Sequence, residues 1–194
     1  MEPIFREHGF LPDEDPLVAF PTGSRHAVLD ELGRDLPSLL EDPHFRTYAR
    51  ALNLPPSPQD DGDPNFLRQL RLYYVRVGFL ASAYINQTSQ TPATVLPQNL
   101  AVPLCQVAAM LRRPPILSYH GYAPYNWKRF DRTKPIALGN IDTLQDFVHM
   151  YDEHWFILVH VEIEAIAARI LVAINRVASA SGEARVAVVN TALV

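Results

Sequence analysis

The sequence predicts an all-α protein, and three observations predict it. Apolar residues recur at helical spacing through residues 66–85 and again through 152–180. The seventeen prolines fall mainly outside those stretches and punctuate them. No run alternates apolar and polar residues clearly enough to read as a strand, and no internal repeat is evident.

Taken in order, residues 1–22 read as an extended, proline-marked arm. A first helix is predicted from Ser24, an N-cap residue, with Val28, Leu29 and Leu32 on one face. Pro37 is expected to interrupt or kink it before Leu39 and Leu40. A short helix follows over His44–Leu52, then a polar loop from Asn53 to Pro64 rich in proline and aspartate. The segment Phe66–Ile85 carries Leu70, Tyr73, Tyr74, Val77, Leu80, Ala81 and Tyr84 at helical spacing, with Arg68, Arg71 and Arg76 mostly off that face. After a second loop, Gln87–Pro97, a helix over Val102–Arg112 is stopped by Pro114 and Pro115. Residues 116–139 are irregular and aromatic. A short helix is predicted near Ile141–His149, and the longest runs from Asp152, as N-cap, to about Ala180, ended by Ser181-Gly182. That helix is apolar almost all round, so it is expected to be central and buried.

Composition narrows the function classes. With 48% hydrophobic and 20% charged residues, the 194-residue chain has the balance of a soluble protein with a core. The net charge is −4 and the basic residues are scattered, which leaves no footprint for nucleic acid or an acidic membrane. A lone cysteine, Cys105, cannot form an internal disulfide; a reducing, cytoplasmic setting and a buried, inert thiol are expected. No secretory leader pattern is read in residues 1–8. The apolar stretch 155–177 is broken by His160, Glu162, Glu164, Arg169 and Arg176, so it is not read as a membrane span.

Three groups of residues invite chemistry. His160 and Glu164, four apart, share a helix face as a metal pair would, but no E-x-x-H motif or matching second helix accompanies them. A histidine hydrogen-bonded to a carboxylate in a core is the favoured reading. Glu162 and Glu164, two apart, point in different directions and are expected to form ion pairs, with Arg169 and Lys128 as partners. Tyr119, Tyr122, Tyr125, Trp127 and Phe130 could line a flat pocket for a ring-shaped ligand or fill the junction of two helical layers. From composition alone the second is favoured. No residue is assigned a catalytic or iron-ligating role.

Several segments, in order, then carry a family resemblance. They are Gly9-Phe10-Leu11-Pro12 with Asp15-Pro16-Leu17, the helix Leu70–Tyr84, and Leu96-Pro97-Gln98-Asn99-Leu100-Ala101-Val102-Pro103-Leu104-Cys105. Pro114-Pro115-Ile116-Leu117-Ser118-Tyr119, Asn126-Trp127-Lys128 and the run from Trp155 to Ala165 complete the set. Together they resemble the front portion of the indoleamine 2,3-dioxygenase family. The resemblance implies a haem b enzyme that inserts dioxygen across the indole C2–C3 bond of tryptophan to give N-formylkynurenine, in the kynurenine pathway. It implies a small helical domain over residues 1–145, on the distal side of the haem, and the start of a larger haem-binding helical domain over 146–194.

By the same resemblance Tyr119 is the distal-pocket tyrosine. Tyr122 and Ala123 stand on the pocket wall where animal members carry cysteine and valine. The family's pocket phenylalanine and serine fall on the start of the long helix in either of two registers, His154 with Leu158 or Trp155 with Val159. A histidine at 154 could hydrogen-bond bound oxygen or the indole N–H; Trp155 keeps an aromatic. Nothing corresponds to the family's axial histidine, its substrate-binding phenylalanine and arginine, or its glycine-rich loop. The chain is therefore expected to be an incomplete and inactive portion that binds haem weakly or not at all, with the missing C-terminal part as a partner. Two other readings stay open: a non-catalytic helical interaction protein on the same fold, and a relative acting on another indole in secondary metabolism.

Overall fold

The structure is a computed structural model and describes residues 8–180. The predicted helix stop at Ser181-Gly182 and the first seven residues of the predicted N-terminal arm lie outside that range. Among the described residues six helices and one two-stranded ladder run in the order α1 (Ala27–Glu41), α2 (Phe45–Ala51), α3 (Phe66–Ile85), α4 (Gln98–Met110), α5 (Tyr119–Tyr122), β1 (Trp127–Arg129), β2 (Ile141–Thr143) and α6 (Tyr151–Ser179). The predicted all-α class is what the described residues adopt.

Helix α3 is the axis of the main core. Tyr73, Tyr74, Val75, Val77 and Phe79 are all fully buried on it, and α1, α2, α4 and α5 pack around it. Two of its tyrosines also hold loops, because a buried phenol needs an acceptor. The Tyr73 hydroxyl donates to Pro55 O at 2.6 Å, and Tyr74 donates to Ile116 O at 2.6 Å with the Ser118 hydroxyl 2.9 Å away as a second partner. Arg76 is buried on the same helix rather than held off the apolar face. Its guanidinium donates to Asp30 Oδ1, Leu144 O and Gln145 Oε1, each within 3.1 Å. Burial pulls its pKa down and Asp30 opposes that, so α1, α3 and the segment after β2 meet at one satisfied charge.

Several expectations are corrected. The first helix begins at Ala27; Ser24 instead turns the chain before it, its Oγ accepting the His26 amide at 3.1 Å. The helix runs through Pro37, which is buried, as are Leu36 and Leu40. The long helix starts at Tyr151, with extended Met150 ahead of it, so Asp152 is an exposed first-turn residue and not the cap. Glu153 reaches back to accept the Phe147 and Val148 amides at 2.9 Å. Cys105 is exposed on α4 rather than buried.

The helix expected near Ile141–His149 is replaced by β2. Trp127 stands opposite Thr143 and Arg129 opposite Ile141, antiparallel. The backbone beyond β2 is bonded to distant partners, since Asn126 Nδ2 donates to Gln145 O at 2.7 Å and Arg76 to Leu144 O. No helical ladder is left for it. Three-residue strands are too short to leave a periodic signature in the sequence.

A second apolar cluster joins Leu11, Trp127, Ile141, Leu158 and Val161. It docks α6 on the hairpin and on the chain's early residues. Helix α6 is not central within the described residues: Ile157, Leu158, Val161 and Ala168 are covered, while its opposite side is open.

Candidate functional site

The candidate site lies where one-turn α5 crosses α6. Helix α5 has no side-chain cap and one turn cannot hold itself, so neighbours must fix it. From below, α3 does so: a Cβ on Gly121 would stand 2.9 Å from Tyr74 Cε1, so only glycine permits this approach. From the side, α6 supplies two carboxylates. Tyr122 donates to Glu153 Oε1 at 3.2 Å, and Tyr119 donates to Glu164 Oε1 at 2.9 Å.

A chain of aromatic rings runs out from the core through this junction. Phe79 stacks on Tyr122 at 5.6 Å between centroids, Tyr122 meets Phe156 at 6.2 Å, and Phe156 meets His160 at 4.3 Å. His160 then receives Tyr119 edge-on at 5.9 Å. The polar groups are few and mostly engaged. Burial, then the hydrogen bond and charge of Glu164, push the Tyr119 phenol up to about 12, so it stays a donor at neutral pH. Burial and Glu153 push Tyr122 up as well. Neighbouring His120 is pulled down to about 4 by burial and by Arg113 and Arg71, so it is neutral.

Beyond this junction α6 presents an uncovered apolar strip. Trp155, Ile163, Ile166, Ile170 and Ile174 are each 47% to 60% exposed and, taken with residue 159, recur at spacings of three and four. Val159, half-buried, lies within it. From Trp155 to Ile174 the strip is about 28 Å long at 1.5 Å per residue. Among the described residues no helix is long and apolar enough to cross a membrane, and no three His, Cys, Asp or Glu groups converge as a metal site would need. A separate open cavity of about 470 Å³ lies between the end of α1 and the 87–90 turn, with His149 on its wall and none of these residues in its lining.

The residues singled out in the sequence are distributed as follows. Tyr119 and Tyr122 meet α6. Ala123 is buried and faces the interior. His154 turns to the hairpin, where its Nε2 pairs with Asp142 Oδ1 at 2.7 Å, and Leu158 enters the second apolar cluster. Trp155 and Val159 fall on the open strip, with Trp155 stacked on Tyr151. The residues placed against Tyr119 and Tyr122 are Phe156, His160, Glu153 and Glu164, which neither register had put in the pocket. The periodicity held the signal: 153, 156, 160 and 164 share one face at helical spacing. His160 is bonded through Nδ1 to Phe156 O at 2.7 Å rather than to a carboxylate. Glu162 and Glu164 accept from the Leu138 amide and Tyr119 and form no ion pair among the described residues; Lys128 pairs with Asp142 instead.

Comparison with known proteins bears directly on this geometry. A family model described as "Indoleamine 2,3-dioxygenase" matches residues 3–194. The chain is 36% identical over 174 residues to an indoleamine 2,3-dioxygenase of Saccharomyces cerevisiae, which covers 87% of this chain and 38% of that protein. It is 34% identical over 166 residues to indoleamine 2,3-dioxygenase 1 of Mus musculus, covering 85% of this chain and 39% of the relative. A 6-hydroxytryptophan 2,3-dioxygenase of Fusarium equiseti is 28% identical over 156 residues, 80% of this chain and 37% of the relative. The chain thus spans little more than a third of the length of these relatives.

Proposed function

The chain belongs to the indoleamine 2,3-dioxygenase family, and on that premise we propose that it forms the distal wall of a haem dioxygenase that opens the indole ring of tryptophan. The observation that carries the reading is the α6 strip edged by Tyr119: a long, uncovered, charge-poor apolar surface beside aromatic rings. A porphyrin needs apolar walls, and this strip suits one of its faces. Trp155, Val159 and Ile163 would pack against such a group, with Tyr119 at the rim. When bound, haem iron supplies the activation of dioxygen.

The chain's own part is positioning and exclusion of water. Tyr119 and Tyr122, strapped to α6, hold their rings at the edge of the site. Phe156 gives a flat apolar contact for an indole ring. The second apolar cluster keeps α6 at a fixed attitude to the hairpin. Residues 1–145 would be the small domain over the distal side and 146–194 the start of the larger one. Because a single wall leaves the other face of a porphyrin uncovered, the 194-residue chain by itself would hold haem weakly and turn over no tryptophan.

A second reading, an indole other than tryptophan in secondary metabolism, is favoured by Tyr122. Its ring stacks on Phe79 and meets Phe156, and a tyrosine there would leave less room for a ligand beside Tyr119 than a smaller side chain would. The name of the Fusarium equiseti relative points the same way.

The test is a hybrid in which this chain replaces the matching segment of the yeast relative. Formation of N-formylkynurenine from tryptophan is expected. A hybrid that binds haem stoichiometrically but acts only on hydroxylated tryptophan would favour the second reading. One that binds haem and oxygenates neither would overturn both.

A further inference from the structure

We propose that His160 is a specificity-determining residue whose Nε2 accepts the N–H of the bound indole; this rests on the reading of the α6 face as an indole site. The tautomer follows from the backbone. His160 Nδ1 lies 2.7 Å from Phe156 O, one turn earlier on α6. A carbonyl oxygen only accepts, so Nδ1 must carry the hydrogen, and a neutral imidazole has one hydrogen to place. The lone pair on Nε2 is left bare, and Nε2 has no hydrogen-bond partner among the described residues.

The ring cannot readily turn away from this role. Its Nδ1 is tethered, the Phe156 ring packs against it at 4.3 Å, and Tyr119 meets it edge-on at 5.9 Å. Tyr119 does not satisfy Nε2 either, because its hydroxyl is spent on Glu164 at 2.9 Å. The outcome is a fixed acceptor on a half-exposed ring amid aromatic and aliphatic side chains. A flat aromatic ligand with one N–H satisfies such a site. An equally flat ligand without the N–H would bury the lone pair unpaired, and sites of this kind reject the analogue that lacks the donor.

The experiment compares L-tryptophan with 1-methyl-L-tryptophan, in which the indole N–H is replaced by N–CH₃. Both are titrated into the 15N-labelled chain while the imidazole nitrogens of His160 are followed by NMR. Tryptophan is expected to move the Nε2 resonance and to bind about fivefold more tightly than the methylated probe, the value of one neutral hydrogen bond. In His160→Leu the two affinities should become equal, because neither probe then gains a hydrogen bond or buries an unpaired acceptor. The wild-type comparison stands alone if the variant fails to fold. Equal wild-type affinities, with Phe156 and Tyr119 signals moving while Nε2 stays still, would overturn the role of His160 and leave the indole reading intact. No response of any of these signals to either probe would overturn the indole reading, and this role with it.

Discussion

The hydroxyl of Tyr119 donates to Oε1 of Glu164 across the junction of α5 and α6, at 2.9 Å. Three turns earlier on α6, about 16 Å away at 1.5 Å per residue, Glu153 receives Tyr122. A single turn of helix is thus fastened at both ends by carboxylates far away in the sequence. The aromatic surface between them, Phe156 and His160, is framed rather than merely filled.

If Glu164 holds that phenol, Glu164→Ala should lower the Tyr119 pKa from about 12 toward its ordinary value of 10.0. Burial is the larger cause, so the phenol should remain above 10.0. Glu164→Gln, which keeps an acceptor and removes the charge, should fall between. Ultraviolet titration of each chain against its Tyr119→Phe counterpart isolates this phenol among the eight tyrosines. An unchanged titration in Glu164→Ala would mean the bond is absent in solution.

The Arg76–Asp30 pair should matter more to stability than any surface ion pair. Arg76 is 5% exposed at its side chain and Asp30 19%. Asp30→Ala leaves a buried guanidinium short of its counter-charge and removes the acceptor of the Phe20 amide. A loss of about 3 kcal/mol is expected in urea unfolding. Exposed Arg34–Asp35 should give almost nothing when broken.

His120 should make the fold acid-sensitive. Its pKa is about 4 in the folded chain against an ordinary 6.5. Between those values the unfolded chain takes up a proton that the folded chain refuses, so stability falls as pH drops through that window. Above 6.5 the contribution is fully present. His120→Gln should flatten this part of the profile, read as urea midpoints across the window; a profile unchanged by the substitution would contradict the assignment.

Gly121→Ala should be destabilising although alanine favours helices. The added Cβ would meet the buried Tyr74 ring at 2.9 Å, and that ring is held by its hydroxyl. Overpacking of this kind costs about 1–3 kcal/mol. Thermal unfolding measures it, and loosening of α5 should return the Tyr119 phenol toward ordinary titration.

Much of the scaffold is readable without coordinates because its period is long. Phe66–Ile85 is predicted to the residue, since its apolar repeat persists over five turns. The 127–143 hairpin is not, because three-residue strands have no period to read and their partners lie fourteen residues apart or so in sequence. In the site, Tyr119 and Tyr122 stand out as clustered aromatics. Which face of α6 meets them does not, because the polar seam of Glu153, His160 and Glu164 competes with Glu162 and Arg169 on other faces of the helix. The contacts of Glu153 and Glu164 decide that orientation, and they are tertiary. The burial of Arg76 is illegible for the same reason: it depends on Asp30, forty-six residues away.

The most direct measurement is haem titration of the 194-residue chain, following the Soret band together with Trp155 fluorescence. Weak binding is expected, with quenching of Trp155 that Ile163→Glu and Ile166→Glu abolish. A stoichiometric six-coordinate spectrum, or binding indifferent to those two substitutions, would contradict the account of the α6 strip as one wall of a porphyrin site.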